Sequence, residues 1–296
     1  MQRVKLKISL NGPILVFDAK YLVYRSKYSS GMSELSYKDI KTGLTFGFFS
    51  SVLSLVKRFK ASELVFMFDV GTVGNSRRRE QFPGYKKRKA NQYKDYTAHE
   101  IKMEEHFEDS YKRIMELCFN LGFNCHKLSR FEADDLIAFF CIQYPHNEII
   151  NITRDEDIFQ CLTKNVSQYS PDNKLRKTDK WFIKEYGINP DQWHLVKALA
   201  GCSSDTVPGV AGIGESRAIS YILGSATDAI NDKIKKASED IDLYKKLVTL
   251  PHADAVCPKS LFKRSNLDMD KFISFCQKNG FRKFLEDLYH WEKFSQ

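Results

Sequence analysis

Short apolar runs that end in an acid recur along this chain. Pro13-Ile14-Leu15-Val16-Phe17 leads into Asp18, and Leu64-Val65-Phe66-Met67-Phe68 leads into Asp69. Runs of this length predict strands buried on both faces of a parallel sheet. Glu148 to Thr153 repeats the pattern and runs into Arg154-Asp155-Glu156-Asp157. Phe123 to Leu128 and Val166 to Ser170 read as two further strands. Elsewhere the apolar spacing is helical. Phe46, Phe49, Leu53 and Val56 share a face in Gly43 to Phe59, and Phe107, Ile114 and Leu117 share one in Ala98 to Leu121. Ala133, Leu136, Ile137 and Phe140 mark the core side of another helix, whose first turn carries Glu132, Asp134 and Asp135. Glu132 and Asp135, three apart, fall on one face. A short helix is expected over Ile158 to Leu162. Strands alternating with helices predict an α/β chain with a mostly parallel central sheet flanked by helices.

From Asp191 the character changes. Trp193 to Ala200 reads as a helix, Gly201-Cys202-Ser203-Ser204-Asp205 follows, and Val207-Pro208-Gly209-Val210-Ala211-Gly212-Ile213-Gly214 leads into a helix over Glu215 to Leu223. A helix precedes these glycines, so they are not a dinucleotide fingerprint. They are either a plain tight turn or a place where backbone groups approach a phosphate or an ion. Short helices with a lysine-rich surface complete the chain.

The 296 residues carry a formal charge of +9, which favours a polyanionic partner without proving one. The basic residues concentrate in one stretch. Arg77, Arg78, Arg79, Lys86, Lys87, Arg88, Lys89 and Lys94 are interleaved there with Phe82, Tyr85, Tyr93 and Tyr96. That mixture suits a phosphate backbone with stacked bases, or else a solvated loop. Seven cysteines form no Cys-x-x-Cys pair, as expected for reduced thiols in a cytosol. The first ten residues alternate charged with apolar residues and lack a signal-peptide core, and no run reaches transmembrane length. The expectation is therefore a cytoplasmic protein, in a host cytoplasm if a phage encodes it, with no membrane association.

Acids at several strand ends would converge on one edge of the sheet, where open α/β sheets keep their sites. Taken singly, Asp18 and Asp155 are as readily helix caps, and the acids at 132 to 135 an ordinary helix start. Packed together, carboxylates need a counter-charge. Hard oxygen ligands favour Mg²⁺ or Mn²⁺. Two such ions about 3.5–4 Å apart serve phosphodiester hydrolysis.

At this point the ordered motifs resemble the 5′-nucleases: flap endonucleases, phage 5′–3′ exonucleases and the 5′-nuclease domain of bacterial DNA polymerase I. Ile14-Leu15-Val16-Phe17-Asp18 with Tyr24-Arg25, Phe66-Met67-Phe68-Asp69, Tyr85-Lys86-x-x-Lys89, Phe131-Glu132-Ala133-Asp134-Asp135, Thr153-Arg154-Asp155-Glu156-Asp157 and Gly201 to Gly214 are similar to the family's motifs, in order. The resemblance implies a PIN-like fold over 1–185, with a basic helical arch at about 74–102. It implies a helix-three-turn-helix and C-terminal helices over 186–296, packed as one unit with the core. By it, Asp18, Asp69, Glu132, Asp134 and Asp135 would hold a first metal ion. Asp155, Asp157 and Asp205 would hold a second. Lys86 would act catalytically on the scissile phosphate, with Asp69 and Asp134. Arg77, Arg78, Arg79, Tyr85, Lys86, Lys87, Arg88, Lys89, Gly209, Gly212 and Gly214 would contact DNA, with a K⁺ held by the glycine turn.

Three positions depart from that pattern. Cys202 stands where an Asp is usual, Lys89 where an Arg is usual, and Arg154 where a small residue is common. The implied activity is cleavage of 5′ flaps or 5′ ends of DNA, and of RNA–DNA hybrids in primer removal. The implied form is a free-standing monomer working beside replication proteins. A DNA-binding protein of the same fold with weakened catalysis is the competing reading. A small-substrate phosphohydrolase is disfavoured by the basic segment and the glycine turn.

Overall fold

The computed structural model describes residues 11–29, 35–87, 97–252, 255–256 and 263–295. Its first half is built as β1 (Ile14–Asp18), α1 (Ala19–Lys27), a hairpin of β2 (Ser36–Tyr37) and β3 (Ile40–Lys41), α2 (Gly43–Phe59), β4 (Glu63–Met67), α3 (Ser76–Gln81), α4 (Ala98–Leu121), β5 (Asn124–His126) and α5 (Ala133–Gln143). The second half continues with β6 (Ile149–Ile152), β7 (Val166–Ser170), β8 (Leu175–Lys177), α6 (Asp179–Tyr186), α7 (Trp193–Ala200), α8 (Glu215–Ile222), α9 (Asp228–Lys236), α10 (Ser238–Val248), α11 (Met269–Lys278), α12 (Arg282–Glu286) and α13 (Tyr289–Glu292). The hairpin and β8, short and largely exposed, carry too little periodicity to be read from sequence. The expected helix at 158–162 is a 3-10 turn, Glu156–Cys161. No helix of the described residues is long and apolar enough to cross a membrane.

Six strands form one sheet in the order β5-β4-β1-β6-β7-β8, parallel except for β8. The apolar runs are buried on both faces, which explains why they read as continuous. Leu15, Phe17, Leu64 and Phe66 point into one core, and Ile14, Val16, Val65 and Met67 into the other. The first core lies under α1, α2 and α4, and Phe272, Phe284 and Trp291 of the C-terminal helices join it. That docking depends on close backbone approach. Gly122 ends α4 at φ +85°, and a Cβ there would lie 2.1 Å from the Asn266 carbonyl oxygen.

β1 pairs with β4 on one side and β6 on the other. The chain thus leaves β1 in opposite directions, which opens a crevice at the strands' carboxyl ends. Helix α5 starts beside that crevice, with Glu132 as its N-cap and Asp135 completing a capping box.

Candidate active site

Carboxylates reach the crevice from separate elements. Asp18 ends β1 and caps α1: Oδ1 accepts from the Tyr21 N–H at 3.1 Å and Oδ2 from the Thr153 hydroxyl at 3.2 Å. Asp69 lies two residues beyond β4. Its Oδ1 accepts from the Ala133 N–H at 2.8 Å, tying the strand end to the start of α5. The Tyr111 hydroxyl of α4 accepts from the Asp69 N–H at 2.8 Å and donates to the Asp69 carbonyl at 3.2 Å. Asp134 stands in the first turn of α5. Asp155 follows β6, and its Oδ1 accepts from the Asp157 N–H at 2.9 Å.

Asp18 and Asp155 therefore cap turns and also belong to the acidic group. Burial, and then the charge of Asp69, pushes the Asp18 carboxyl up to about 7. Burial and the charges of Asp155 and Asp18 push Asp134 well above the usual carboxylate range, against a smaller opposing pull from Lys86. Such shifts mark a site that lacks positive charge.

A second group lies beside the first. One ligand atom each from Asp157, Cys202 and Asp205 falls within 4.8 Å of the others. Cys202 Sγ is 3.9 Å from Asp157 Oδ2 and 3.0 Å from the Ser204 hydroxyl. Burial, then Asp155 and Asp205, raises Asp157 to about 7, and Lys197 at 3.8 Å offsets part of that. Burial and the same neighbouring acids, Asp205 and Asp157, push the Cys202 thiol up to about 11, so it is neutral near pH 7.

Lys86 joins Glu132 to this second group. Its ammonium is 2.5 Å from Glu132 Oε1 and 3.3 Å from Asp205 Oδ1. The residue sits in the left-handed region at φ +46°, where its N–H donates to the Asp205 carbonyl at 3.0 Å. Burial would lower its pKa, but Glu132 and the other acids raise it well above the ordinary lysine value. The Tyr85 hydroxyl lies 2.9 Å from Glu132 Oε2 and 3.1 Å from Asp205 Oδ2.

Several residues expected to ligate metal or touch DNA are placed otherwise. Arg78 is 2% exposed and Tyr85 1% exposed, so neither offers a surface to a nucleic acid. Arg78 instead holds Asp135 at two points and Glu132 at a third. Burial alone would raise Asp135, but the Arg78 guanidinium and two backbone N–H donors hold it below the ordinary value. Asp135, expected among the first metal's ligands, is thus engaged inside the protein. Asp155, expected with the second ion, couples to Asp18 and Asp134 as well as to Asp157. Arg79 donates to the carbonyls of Tyr85 and Lys86 at 3.2 and 3.1 Å, Arg77 stacks on Phe131, and Lys87 is exposed. Arg88 and Lys89 lie outside the described residues.

In the glycine turn, Gly209 (φ +67°) packs backbone to backbone on Gly201, and a Cβ would fall 2.3 Å from the Gly201 nitrogen. Gly212 takes φ +77°, and Gly214 starts α8 with open space around it. Sequence reasoning did not single out Lys197, Tyr111 or Thr153. Nothing local marks them, because each acts on a carboxylate far away in the chain.

The family model of the 5′–3′ exonuclease N-terminal resolvase-like domain matches residues 13–187. A 5′–3′ exonuclease of Mycoplasmopsis pulmonis is 29% identical, covering 94% of this chain and 96% of that protein. A thermostable DNA polymerase I of Thermus aquaticus is 26% identical over 94% of this chain, which spans only 33% of the polymerase. Among solved structures, the flap endonuclease of bacteriophage T5 in complex with DNA and metal ions has a TM-score of 0.70 at 22% identity, covering 81% of this chain and 89% of that one. Human GEN1 in complex with Holliday junction DNA has a TM-score of 0.58 at 16% identity, covering 95% and 73%.

Proposed function

The chain belongs to the 5′–3′ exonuclease family, and from that premise we propose that it is a divalent-metal-dependent 5′-nuclease. It hydrolyses phosphodiesters near 5′ ends of DNA, on flaps as well as on ends, in replication or primer removal. The observation that carries this reading is the crowding of Asp18, Asp69, Asp134 and Asp155 at the strand ends, with the Asp18 and Asp134 carboxyls driven upward by burial and by one another.

The donor set fits a hard cation. Asp18, Asp69 and Asp134 would hold one Mg²⁺; Asp155, Asp157 and Asp205 would hold a second, where Mn²⁺ could substitute. Bound there, such ions supply water activation and charge stabilisation at the leaving oxygen. The protein's own groups do the rest. Lys86 would place a fixed cation beside the scissile phosphate, stabilising charge that grows in the transition state. Glu132 and Tyr85 would orient Lys86, and Arg78 with Asp135 would hold Glu132 in place. The basic segment at about 74–102 would carry the single strand. The turn with Gly209, Gly212 and Gly214 would carry duplex phosphates, with a K⁺ on its carbonyls. RNA–DNA hybrids would enter the same site.

One observation favours the weaker-catalysis alternative: a neutral thiol sits in the second group of acids. A 5′-labelled flap substrate separates the two readings. Cleavage with Mg²⁺ that stops with EDTA is the expected result. Binding without cleavage in any divalent ion would leave only a DNA-binding protein.

A further inference from the structure

A cavity of about 410 Å³ opens on the flank of the sheet between α1, α2 and the β7–β8 turn. Its wall includes Arg25, Arg58, Lys174, Ser50, Ser51 and Tyr169. The Arg58 guanidinium lies over the Tyr169 ring at 5.1 Å. Among the described residues, neither Arg58 nor Lys174 is ion-paired, while Arg25 shares its charge with Asp172, Nε to Oδ1 at 2.8 Å. Arg25 Nη1 donates to the Ser51 hydroxyl at 3.1 Å. The Ser50 hydroxyl is buried with no hydrogen-bond partner. Three cations thus face one carboxylate, with a hydroxyl left unsatisfied.

That wall selects its occupant by chemistry. An apolar ligand would strand the Ser50 hydroxyl and the guanidinium donors, and a cation would be repelled. An anion with several acceptor oxygens satisfies both, and a phosphoryl group matches the fork of an arginine. The cavity is also tied to the acidic crevice. Asp172 Oδ2 accepts from the Tyr21 hydroxyl at 2.8 Å, and the Tyr21 N–H donates to Asp18. Along α1 the step from Asp18 to Arg25 is roughly 10 Å, at 1.5 Å per residue. That is about three steps of a duplex strand at 3.4 Å each.

We propose that this cavity seats a backbone phosphate of the bound nucleic acid, distinct from the scissile one. The site rests on the nuclease reading above and extends the path of the substrate onto the α1–α2 flank. Each phosphate seated there releases counterions, so the cavity contributes to the salt dependence of binding.

The test uses the full chain, with Ca²⁺ in place of Mg²⁺, and a double variant, Arg58→Gln with Lys174→Asn. Asparagine tolerates the left-handed backbone at position 174 (φ +56°). Affinity for a flap duplex is measured against salt, and thermal unfolding checks that both proteins fold. The expected result is a log–log slope smaller by about 1 to 2 in the variant, near 0.9 per phosphate lost. Equal slopes and affinities for two folded proteins would overturn the proposal alone. Calorimetric binding of orthophosphate to wild type but not to the variant, with DNA slopes unchanged, would also overturn it and assign the cavity to the free ion. A wild type that binds no DNA would overturn the functional reading and this site with it.

Discussion

Arg78 and Asp135 form a two-point ion pair in the interior: Nη1 to Oδ2 at 2.7 Å and Nη2 to Oδ1 at 2.8 Å. The same guanidinium donates to Glu132 Oε2 at 3.0 Å and to the Leu247 carbonyl at 2.8 Å. The His252 N–H donates to Asp135 at 2.9 Å. One buried arginine therefore fixes α3, the start of α5 and the end of α10 relative to each other. Glu132, which orients Lys86, depends on that fixed frame.

Arg78→Met should accordingly destabilise the protein by roughly 3–5 kcal/mol, because it leaves Asp135 buried without a counter-charge. Arg78→Lys should not rescue it, since an ammonium lacks the two-point geometry. The double change Arg78→Met with Asp135→Leu should recover much of the loss. Urea unfolding of the four proteins checks this. If the single variant lost less than about 1 kcal/mol, the value of an ordinary exposed pair, the pair would not be the support described.

The fold was legible where burial writes a continuous pattern. The runs ending at Asp18 and Asp69 and the helical spacing of Gly43–Phe59 needed no partner to be read. Asp134 and Asp18 were legible as candidates because acids beside apolar strand ends are conspicuous. Arg78 was not, because it stands in an Arg-Arg-Arg run whose members look alike. Only packing separates Arg78 against Asp135 from Arg79 on two carbonyls and Arg77 on Phe131. Tyr85 looked like a stacking residue for the same reason: an aromatic among lysines carries no mark of burial.

Asp69→Asn and Asp134→Asn should each abolish detectable cleavage while leaving DNA affinity within a few-fold of wild type. Both acids face the crevice, whereas phosphate contacts belong to cations. Cleavage in Mg²⁺ beside gel shifts in Ca²⁺ provides the check. Near-normal cutting by either variant would remove that residue from the metal site.

Without metal, stability should fall as pH rises from about 5 to about 8. Asp18 and Asp157 have folded values raised to about 7 from 3.8. The folded state then binds more protons than the unfolded one across that window, so the slope of stability with pH is negative. His126, lowered to about 4 by burial, acts in the opposite direction below its unfolded value of 6.5. It contributes equally with and without metal, so the difference between the two curves isolates the acids. Thermal unfolding in EDTA should drop by several degrees over the window, and saturating Mg²⁺ should flatten it. Parallel curves would mean that these carboxyls do not hold the ion.

Cys202 decides how tightly the second group holds its cation. Its Sγ shares a 4.8 Å neighbourhood with carboxylate oxygens of Asp157 and Asp205. It also packs with Ala198 and Val207, as a buried thiol commonly does. With its pKa pushed to about 11, the thiol brings no negative charge at neutral pH. Hard cations select oxygen, so a neutral sulfur there weakens Mg²⁺ more than Mn²⁺. Cys202→Asp adds a charge and an oxygen at that place, with Lys197 3.8 Å from Asp157 to help accommodate it. It should lower the Mg²⁺ concentration for half-maximal cleavage by about tenfold, the equivalent of about 1.4 kcal/mol. The Mn²⁺ curve should move less. Cys202→Ser, which restores an oxygen without charge, should fall between. If the Mg²⁺ titrations of wild type and Cys202→Asp superimpose, the side chain at 202 is a packing residue and the weak point of the second group lies elsewhere.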